Sequence, residues 1–299
     1  MQNDVILFVA KPVNMAEQTN QPPLIDLDKI MRGRKSRLLQ FFRPFISGYV
    51  KKIVHQDELN DILRRHYQKD IDSFMEAGLF EEMGLTYNVV NEQLVFPEPD
   101  KKYIYVSNHP LGGLDGVLLI YLIKQKTGTA KAITNDLLLN LKNLREVFIG
   151  VNLYGRKSRE SVKQINEVFK SDQQILLFPA GLVSRRQKGV IRDLTWQPFF
   201  IKQAKKYKRD VIPLHVSGRL SDFFYNFANM RKNIGIKPNI ELFYLPDEQF
   251  KQRNEHLTVT AGEAIPWQTF SGHRSEAEWA ADVRNFVYDL GLGKATRYE

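Results

Sequence analysis

Cysteine is absent from the 299 residues of this chain. Without thiols the protein forms no disulfide, builds no thiolate metal site and uses no cysteine nucleophile. Long apolar runs are missing too, because no uninterrupted stretch approaches the ~20 residues that a membrane-spanning helix needs. A short apolar patch at residues 5–10 has no basic region before it, which argues against a secretory signal. These absences lead us to expect a cytoplasmic protein.

No group of residues has the spacing of metal ligands, so we expect neither a metal ion nor a bound cofactor. Positive charge, in contrast, is in excess: 43 lysines and arginines stand against 34 acidic residues, a formal net charge of +9. Such an excess predicts a polyanionic partner, either an anionic membrane surface, an acidic carrier protein, a phosphorylated ligand or nucleic acid. Nucleic acid is the least favoured, because nothing matches a helix-turn-helix, a zinc finger or an RNA-recognition motif.

The N-terminal region divides by composition. Residues 1–25 are polar and contain prolines after the first ten positions, which predicts a flexible segment. Residues 26–84 have helical periodicity and predict a helical subdomain. Between residues 31 and 56, seven basic residues and no acidic one interleave with phenylalanine and leucine. This pattern is typical of an interfacial membrane helix, although a core-packing helix with solvated charges fits it equally well.

The remainder, residues 85–299, alternates between two periodicities. Residues 85–96 predict a β-hairpin that turns at Asn91-Glu92. Strands are predicted at 103–106, 130–134, 175–178, 211–216, 240–245 and 257–261, and helices at 115–126, 136–146, 159–170, 195–208, 220–232 and 274–290. This alternation predicts the α/β class, with a mostly parallel sheet flanked by helices and joined to the N-terminal helical subdomain.

The clearest chemical pattern lies at residues 107–116, Ser-Asn-His-Pro-Leu-Gly-Gly-Leu-Asp-Gly. A β-rich run precedes it and an apolar run follows, so the order predicts a strand, a glycine turn and a helix. His109 is a candidate general base, because an imidazole with an ordinary pKa of about 6.5 is available in neutral form at pH 7. Asp115 is a candidate acceptor for the other ring N–H, and Gly112 and Gly113 free backbone amides for an oxyanion. The plainer alternative is a helix-capping turn without chemistry.

A second pattern follows the apolar run at 175–177. It reads Phe-Pro-Ala-Gly-Leu-Val-Ser-Arg-Arg, so a buried strand enters a turn at Gly181 and emerges at a hydroxyl and two guanidinium groups. Ser184, Arg185 and Arg186 are therefore candidates for binding an anionic group, since a guanidinium grips carboxylates and phosphates with two parallel hydrogen bonds.

Two single residues are weaker candidates. Arg156 ends a basic loop after the apolar run at 148–152 and suits an anionic ligand, although a solvated loop explains it equally well. His215 falls within a predicted strand, and such a histidine is more often packed or hydrogen-bonded than part of an active site.

Both patterns resemble blocks of the glycerolipid acyltransferase superfamily. Residues 107–116 are most similar to the Asn-His-Pro-x-Gly-x-x-Asp-Gly string of its hemolysin-like branch, which includes O-acyltransferases for ornithine and glycine lipids. Five residues separate His109 from Asp115 where the main superfamily has four, and this favours the branch. The second pattern resembles the branch's Phe-Pro-Ala-Gly-x-x-Ser string. Leu182 occupies a position where some ornithine-lipid relatives have glutamate.

The resemblance implies an acyltransferase that moves a fatty acyl group from an acyl carrier protein or coenzyme A thioester to the hydroxyl of a single-chain lipid. Lyso-ornithine and lyso-glycine lipids are the expected acceptors, with lysophosphatidic acid as an alternative and a non-catalytic lipid- or membrane-binding protein as a further one. We expect the enzyme to lie on the inner face of the cytoplasmic membrane, with His109 facing a lipid-sized pocket. The resemblance also implies that His109 and Asp115 are the catalytic residues. It implies substrate binding by Asn108, Gly112, Gly113, Arg156, Gly181, Ser184, Arg185 and Arg186.

Overall fold

A seven-stranded sheet runs through the protein, whose computed structural model describes residues 48–134, 144–150 and 159–298. The strands are β1 (Thr86–Val90), β2 (Tyr103–Ser107), β3 (Ala130–Thr134), β4 (Phe148–Gly150), β5 (Gln174–Leu177), β8 (Asp210–Val216) and β9 (His256–Ala261), with β6 (Arg185–Gln187) and β7 (Val190–Arg192) forming a separate hairpin. The α-helices are α1 (Gln56–His66), α2 (Ile71–Glu76), α3 (Gly113–Thr127), α4 (Arg159–Lys170), α5 (Phe199–Tyr207), α6 (Asp222–Asn233), α7 (Leu245–Phe250) and α8 (Glu276–Gly291).

The strand order is β1-β9-β8-β2-β5-β3-β4, and every pairing except β8 with β9 is parallel. The central strands β2 and β5 are buried along their whole length, as expected for parallel strands that helices cover on both faces. The predicted α/β class with a mostly parallel sheet is therefore confirmed.

Two predictions are wrong: the β-hairpin at residues 85–96 and the strand at residues 240–245. The hairpin at 85–96 does not form, because β1 is followed by a 3-10 helix (Glu92–Leu94) and pairs in parallel with β9 instead. Asn91 adopts a left-handed conformation, and its side chain donates to the Ala261 carbonyl at 3.1 Å, which turns the chain away from its own strand. The stretch at 240–245 forms a 3-10 helix (Ile240–Tyr244) that runs into α7. Its buried Glu241 pairs with two arginines, a tertiary interaction that alternation does not encode.

The helices before β1 share the core of the sheet. Leu63 of α1 and Phe74 and Met75 of α2 belong to the same hydrophobic cluster as Tyr105 of β2. The predicted segment 1–25 and most of the basic helix lie outside the described residues, which begin with a helical stretch at 48–53. The division at residue 84 stays a prediction. Within the described ranges, no helix combines the length and apolar character needed to cross a bilayer.

The two chemical patterns of the sequence meet at one edge of the sheet. β2 ends at Ser107 and the neighbouring parallel strand β5 ends at Leu177, so the loops that follow both strands emerge side by side. In open α/β sheets this carboxyl edge is where ligands usually bind. The fold thus brings together two stretches that are separated by about seventy residues of sequence.

Candidate active site

The turn between β2 and α3 depends on its glycines. Gly112 has φ +78° and ψ −123°, a backbone conformation that side chains with a Cβ rarely adopt. A Cβ on Gly113 would lie 2.8 Å from the Gln249 side-chain nitrogen. Asn108 anchors the turn to β8, since its side chain donates to the Val216 carbonyl (2.9 Å) and accepts from the Val216 amide (2.8 Å). Asn108 is buried, and this geometry favours a structural role over its predicted contact with a substrate.

The turn places a histidine against a buried carboxylate. Nδ1 of His109 lies 3.0 Å from Oδ1 of Asp115, which is fully buried in the first turn of α3. The other carboxylate oxygen accepts the Leu111 amide at 2.9 Å. The His109 side chain is 19% exposed, whereas its Nδ1 and the facing Asp115 Oδ1 are both buried and make an ion-pair contact without hydrogen-bond geometry. Nε2 has no hydrogen-bond partner among the described residues.

The surroundings set the protonation of His109. Burial by itself lowers the pKa of the imidazole, but the Asp115 carboxylate and, more weakly, the Asp193 carboxylate raise it, while Arg185 opposes them. The net result is a pKa above the ordinary value of 6.5. The ring is therefore a stronger base than a free histidine, and the imidazolium formed by taking up a proton is stabilised.

The second pattern of the sequence completes the site. The Phe178 ring stacks on His109, with ring centroids 4.1 Å apart, and the Ser184 amide donates to the His109 carbonyl at 2.8 Å. Gly181 has φ +67° in the turn between these residues, and its amide donates to the Phe178 carbonyl. The hydroxyl of Ser184 is buried and donates to Asp193 at 2.6 Å, so Ser184 supports the histidine turn from within the protein.

Asp193 is a site residue that the sequence analysis missed. Its Oδ1 accepts the His109 amide at 3.1 Å as well as the Ser184 hydroxyl, and its Oδ2 accepts the Trp196 indole N–H at 2.8 Å. Burial raises the pKa of this carboxyl, although these three donors favour its ionised form. The sequence offers only a weak signal for it: Asp193 directly follows a stretch, 185–192, that contains four basic residues and no acidic one.

The arginines predicted to bind an anionic group have different surroundings. Arg185 is buried, and it donates to the Val183 carbonyl (2.9 Å) and to Glu241 (3.0 Å), which also pairs with Arg231 at 2.8 Å. These contacts favour a structural role for Arg185 over the predicted contact with a ligand. Arg186 is partly exposed and pairs with Asp222, so it remains accessible from solvent. Arg156 lies outside the described residues.

His215 is packed, as its place in a strand predicted. Its ring lies in β8 against the end of α8, with the Tyr288 ring centroid 5.9 Å away, and burial lowers its pKa to about 4. A Cβ on Gly291 would lie 2.4 Å from the His215 ring. The neutral ring thus fills the space that the glycine leaves.

We expect Gly291→Ala to destabilise the protein by about 1–3 kcal/mol, because the added methyl group overpacks the contact with His215. Urea unfolding of both proteins measures the change in the free energy of unfolding. Gly78→Ala is the matched control, since no atom lies within 4 Å of its added Cβ. Equal stability of the Gly291→Ala protein and wild type would contradict the proposed packing.

Two cavities on the surface are candidates for the predicted lipid pocket. One cavity of about 310 Å³ is lined by residues that include Ser217 and Arg219, and another of about 430 Å³ by residues that include Lys101 and Trp267. His109 lines neither of them. A lipid-sized pocket beside His109 therefore stays a prediction.

Comparisons of the sequence with curated proteins and with a family model agree with the resemblance. The chain is 44% identical over 274 residues to a lyso-glycine lipid O-acyltransferase of Bacteroides thetaiotaomicron, covering 89% of this chain and 97% of that protein. A protein of the same name from Phocaeicola vulgatus is 43% identical over 268 residues, with 89% and 95% covered. A crystal structure of the 1-acyl-sn-glycerophosphate acyltransferase PlsC from Thermotoga maritima covers 87% of this chain and 98% of its own, at 18% identity and a TM-score of 0.44. The family model described as Acyltransferase matches residues 29–292, and the chain belongs to that family.

Proposed function

We propose that this acyltransferase moves a fatty acyl group from a thioester donor to the free hydroxyl of a lyso-glycine lipid. The observation that carries the proposal is the identity of 44% and 43% to two proteins named lyso-glycine lipid O-acyltransferases, each aligned over 89% of this chain. The contact of His109 with Asp115 supports it, because a base held by a carboxylate suits proton removal from a hydroxyl. The donor is acyl carrier protein or coenzyme A, and no metal or bound cofactor takes part.

The chemistry uses the open edge of the imidazole. Asp115 holds the Nδ1–H form of His109, which leaves Nε2 free to take the proton of the acceptor hydroxyl as its oxygen attacks the thioester carbonyl carbon. The tetrahedral intermediate then collapses, the carbon–sulfur bond breaks, and the departing thiolate takes the proton from Nε2. The products are an ester and a free thiol. Backbone amides near Gly112 and Gly113 stabilise the oxyanion, an interaction worth a few kcal/mol in other enzymes.

The proposed function also includes substrate-binding residues and a location at the membrane. Arg156 and the accessible Arg186 bind the acceptor's carboxylate or the donor's phosphates. The protein lies on the inner face of the cytoplasmic membrane, where a single-chain lipid acceptor is embedded. The net charge of +9 supports this location, because the inner leaflet attracts basic proteins.

The test is an acyl-transfer assay with purified protein. Acyl carrier protein and coenzyme A thioesters are each combined with lyso-glycine lipid, lyso-ornithine lipid or lysophosphatidic acid, and mass spectrometry measures the two-chain product. We expect product from lyso-glycine lipid at the highest kcat/KM. Preference for another acceptor would overturn the assignment of the substrate, and failure of every pair would favour a lipid-binding protein without catalysis.

Asp193→Asn should lower kcat/KM by about 10–150-fold, which corresponds to the roughly 1.5–3 kcal/mol of a hydrogen bond to a charged group. An amide cannot accept at both positions, so one of the three donors around residue 193 faces an NH₂ group. Loss of the negative charge also lowers the pKa of His109, so the acid limb of the pH–kcat/KM profile moves to lower pH. Trp196→Phe removes one hydrogen-bond donor and keeps the Asp193 carboxylate. The acid limb of its pH–kcat/KM profile should therefore coincide with that of wild type. If the acid limb of the Asp193→Asn profile stayed at the wild-type pH, the Asp193 charge would not influence the protonation of His109.

A further inference from the structure

Helix α6 presents apolar side chains to solvent on one face while it buries another. Its core face carries the buried Phe224 and Ala228. An adjacent face has apolar residues at the i, i+4, i+7, i+11 spacing that aligns side chains along a helix. We call this set the α6 stripe: Phe223 (49% exposed), the half-buried Phe227, Met230 (51%) and Ile234 (63%). Single exposed apolar residues are ordinary, but an aligned row marks an interaction surface.

Aromatic rings extend the stripe toward the N-terminal helix. Phe223 and Phe227 stack with centroids 5.8 Å apart, and the Tyr244 ring packs edge-on against both, at 5.0 and 5.5 Å. The Tyr244 hydroxyl lies 2.6 Å from the hydroxyl of the exposed Tyr49. Tyr49 belongs to the helical stretch at 48–53, the described end of the basic region predicted to contact a membrane. Tyrosines with one apolar and one polar end are enriched at membrane interfaces.

Positive charge borders the stripe. Lys237 is exposed beyond the C-terminal end of α6, and the Lys251 ammonium lies 5.9 Å from the centroid of the Phe223 ring. At the other end, Arg186 and Arg219 share the carboxylate of Asp222, and Lys251 pairs with Asp247 and Glu248. An apolar row with a cationic border is the combination that binds anionic bilayers, because apolar burial and attraction to lipid headgroups add.

The stripe also lies close to the candidate active site. On the core side of α6, the guanidinium of Arg185 sits 5.3 Å above the Phe224 ring. Residues 240–250, which carry Tyr244, place the Leu245 side chain 3.4 Å from where a Cβ on Gly112 would lie. Tyr244, which packs against the stripe, is therefore followed directly by a residue that contacts the turn between β2 and α3.

We propose that the α6 stripe docks the protein on the surface of an anionic lipid bilayer. This inference rests on the proposed function insofar as the acceptor is a membrane lipid, and it names the surface that reaches that lipid. Docking through α6 adds to the membrane contact predicted for residues 31–56 and orients the site toward the bilayer.

Vesicle sedimentation tests the proposal. The full-length protein is mixed with vesicles of equal parts phosphatidylglycerol and phosphatidylcholine, or of phosphatidylcholine alone. We expect Phe223→Ser/Met230→Ser/Ile234→Ser to weaken binding to the anionic vesicles at least tenfold. Lys237→Glu should weaken it roughly fivefold, with less effect at high salt. The matched control is Val162→Ser/Leu292→Ser, which removes exposed apolar side chains from α4 and from the residue after α8. That protein should bind like wild type.

Acyl transfer in detergent micelles separates the docking proposal from the proposed function. A triple variant that transfers acyl groups normally in micelles but binds vesicles poorly is folded, and its behaviour supports docking through the stripe. Vesicle binding equal to wild type would overturn the proposal, as would a wild-type dimer that the triple variant converts to monomer, since a second copy would then cover the stripe. If wild type transfers no acyl group while vesicle binding still depends on the stripe, the proposed function fails and the docking surface stands.

Discussion

Replacing His109 with alanine should lower kcat/KM for acyl transfer by about 10²–10⁴-fold, the range that general acid–base catalysis contributes. In the proposed mechanism, Nε2 of this ring takes the proton from the attacking hydroxyl and returns it to the leaving thiol. The ring is the group beside the buried Asp115 that remains accessible, so its loss removes the base while the carboxylate stays in place. Transfer of a labelled acyl chain by the purified variant, under the conditions used for wild type, measures the effect.

His273→Ala is the control for this experiment, because His273 is exposed and lies outside the site. It should retain wild-type activity. Circular dichroism and the urea midpoint establish that the His109→Ala protein is folded, so that lost activity is not lost structure. If a folded His109→Ala protein kept more than a tenth of wild-type activity, the assignment of the base would be wrong.

The pH dependence of wild-type kcat/KM tests the assignment of His109 independently of any substitution. Catalysis requires the neutral imidazole, and the pKa of His109 lies above 6.5, so the acid limb of kcat/KM should have its midpoint above pH 6.5. The same shift affects stability. Because the folded pKa exceeds the unfolded value, protonated His109 stabilises the fold below about pH 6.5, and this contribution is lost as pH rises through the folded pKa.

Local sequence predicted the contact at the centre of the site. His109 and Asp115 lie six positions apart, across a glycine turn and one turn of helix, so their separation depends on backbone geometry that the residue types specify. The strands β2 and β5 were predictable for a similar reason, because each is a short buried run bounded by turn residues. Their parallel pairing then brings Phe178 onto the His109 ring.

Interactions between distant segments were not predictable in this way. Asp193 receives the His109 amide across 84 positions, and Glu241 receives Arg185 across 56. No periodicity records such pairs. In the sequence, Arg185 follows a glycine turn and resembles an anion ligand. In the fold, α6 and the 3-10 helix cover it, and its charge is balanced by Glu241. The role of Arg185 is therefore set by segments that follow it in the chain, and the residues around it in the sequence do not reveal that role.

Asp115→Asn tests how the carboxylate acts, and it should lower kcat/KM by about 10²–10⁴-fold, the larger figure being that of the equivalent change in a serine protease triad. Two nitrogens lie against the Asp115 carboxylate, His109 Nδ1 at 3.0 Å and the Leu111 backbone N–H, which donates to it at 2.9 Å. An asparagine has one oxygen and one NH₂, so it can accept from only one of them. If the NH₂ faces His109, the ring carries its proton on Nε2 and cannot act as the base. If the oxygen faces His109, the Leu111 amide loses its acceptor and the turn is destabilised by about 1–3 kcal/mol.

The pH profile of Asp115→Asn distinguishes this account from simple damage to the fold. Asp115 is the strongest of the groups that raise the pKa of His109, and burial opposes it, so without the charge the pKa should fall and the acid limb should move to lower pH. Asp115→Glu keeps the charge and lengthens the side chain by one methylene, so it should lose activity through misplacement while its limb stays nearer to that of wild type. A limb that moved equally in both variants, or in neither, would show that the carboxylate does not control the protonation of His109.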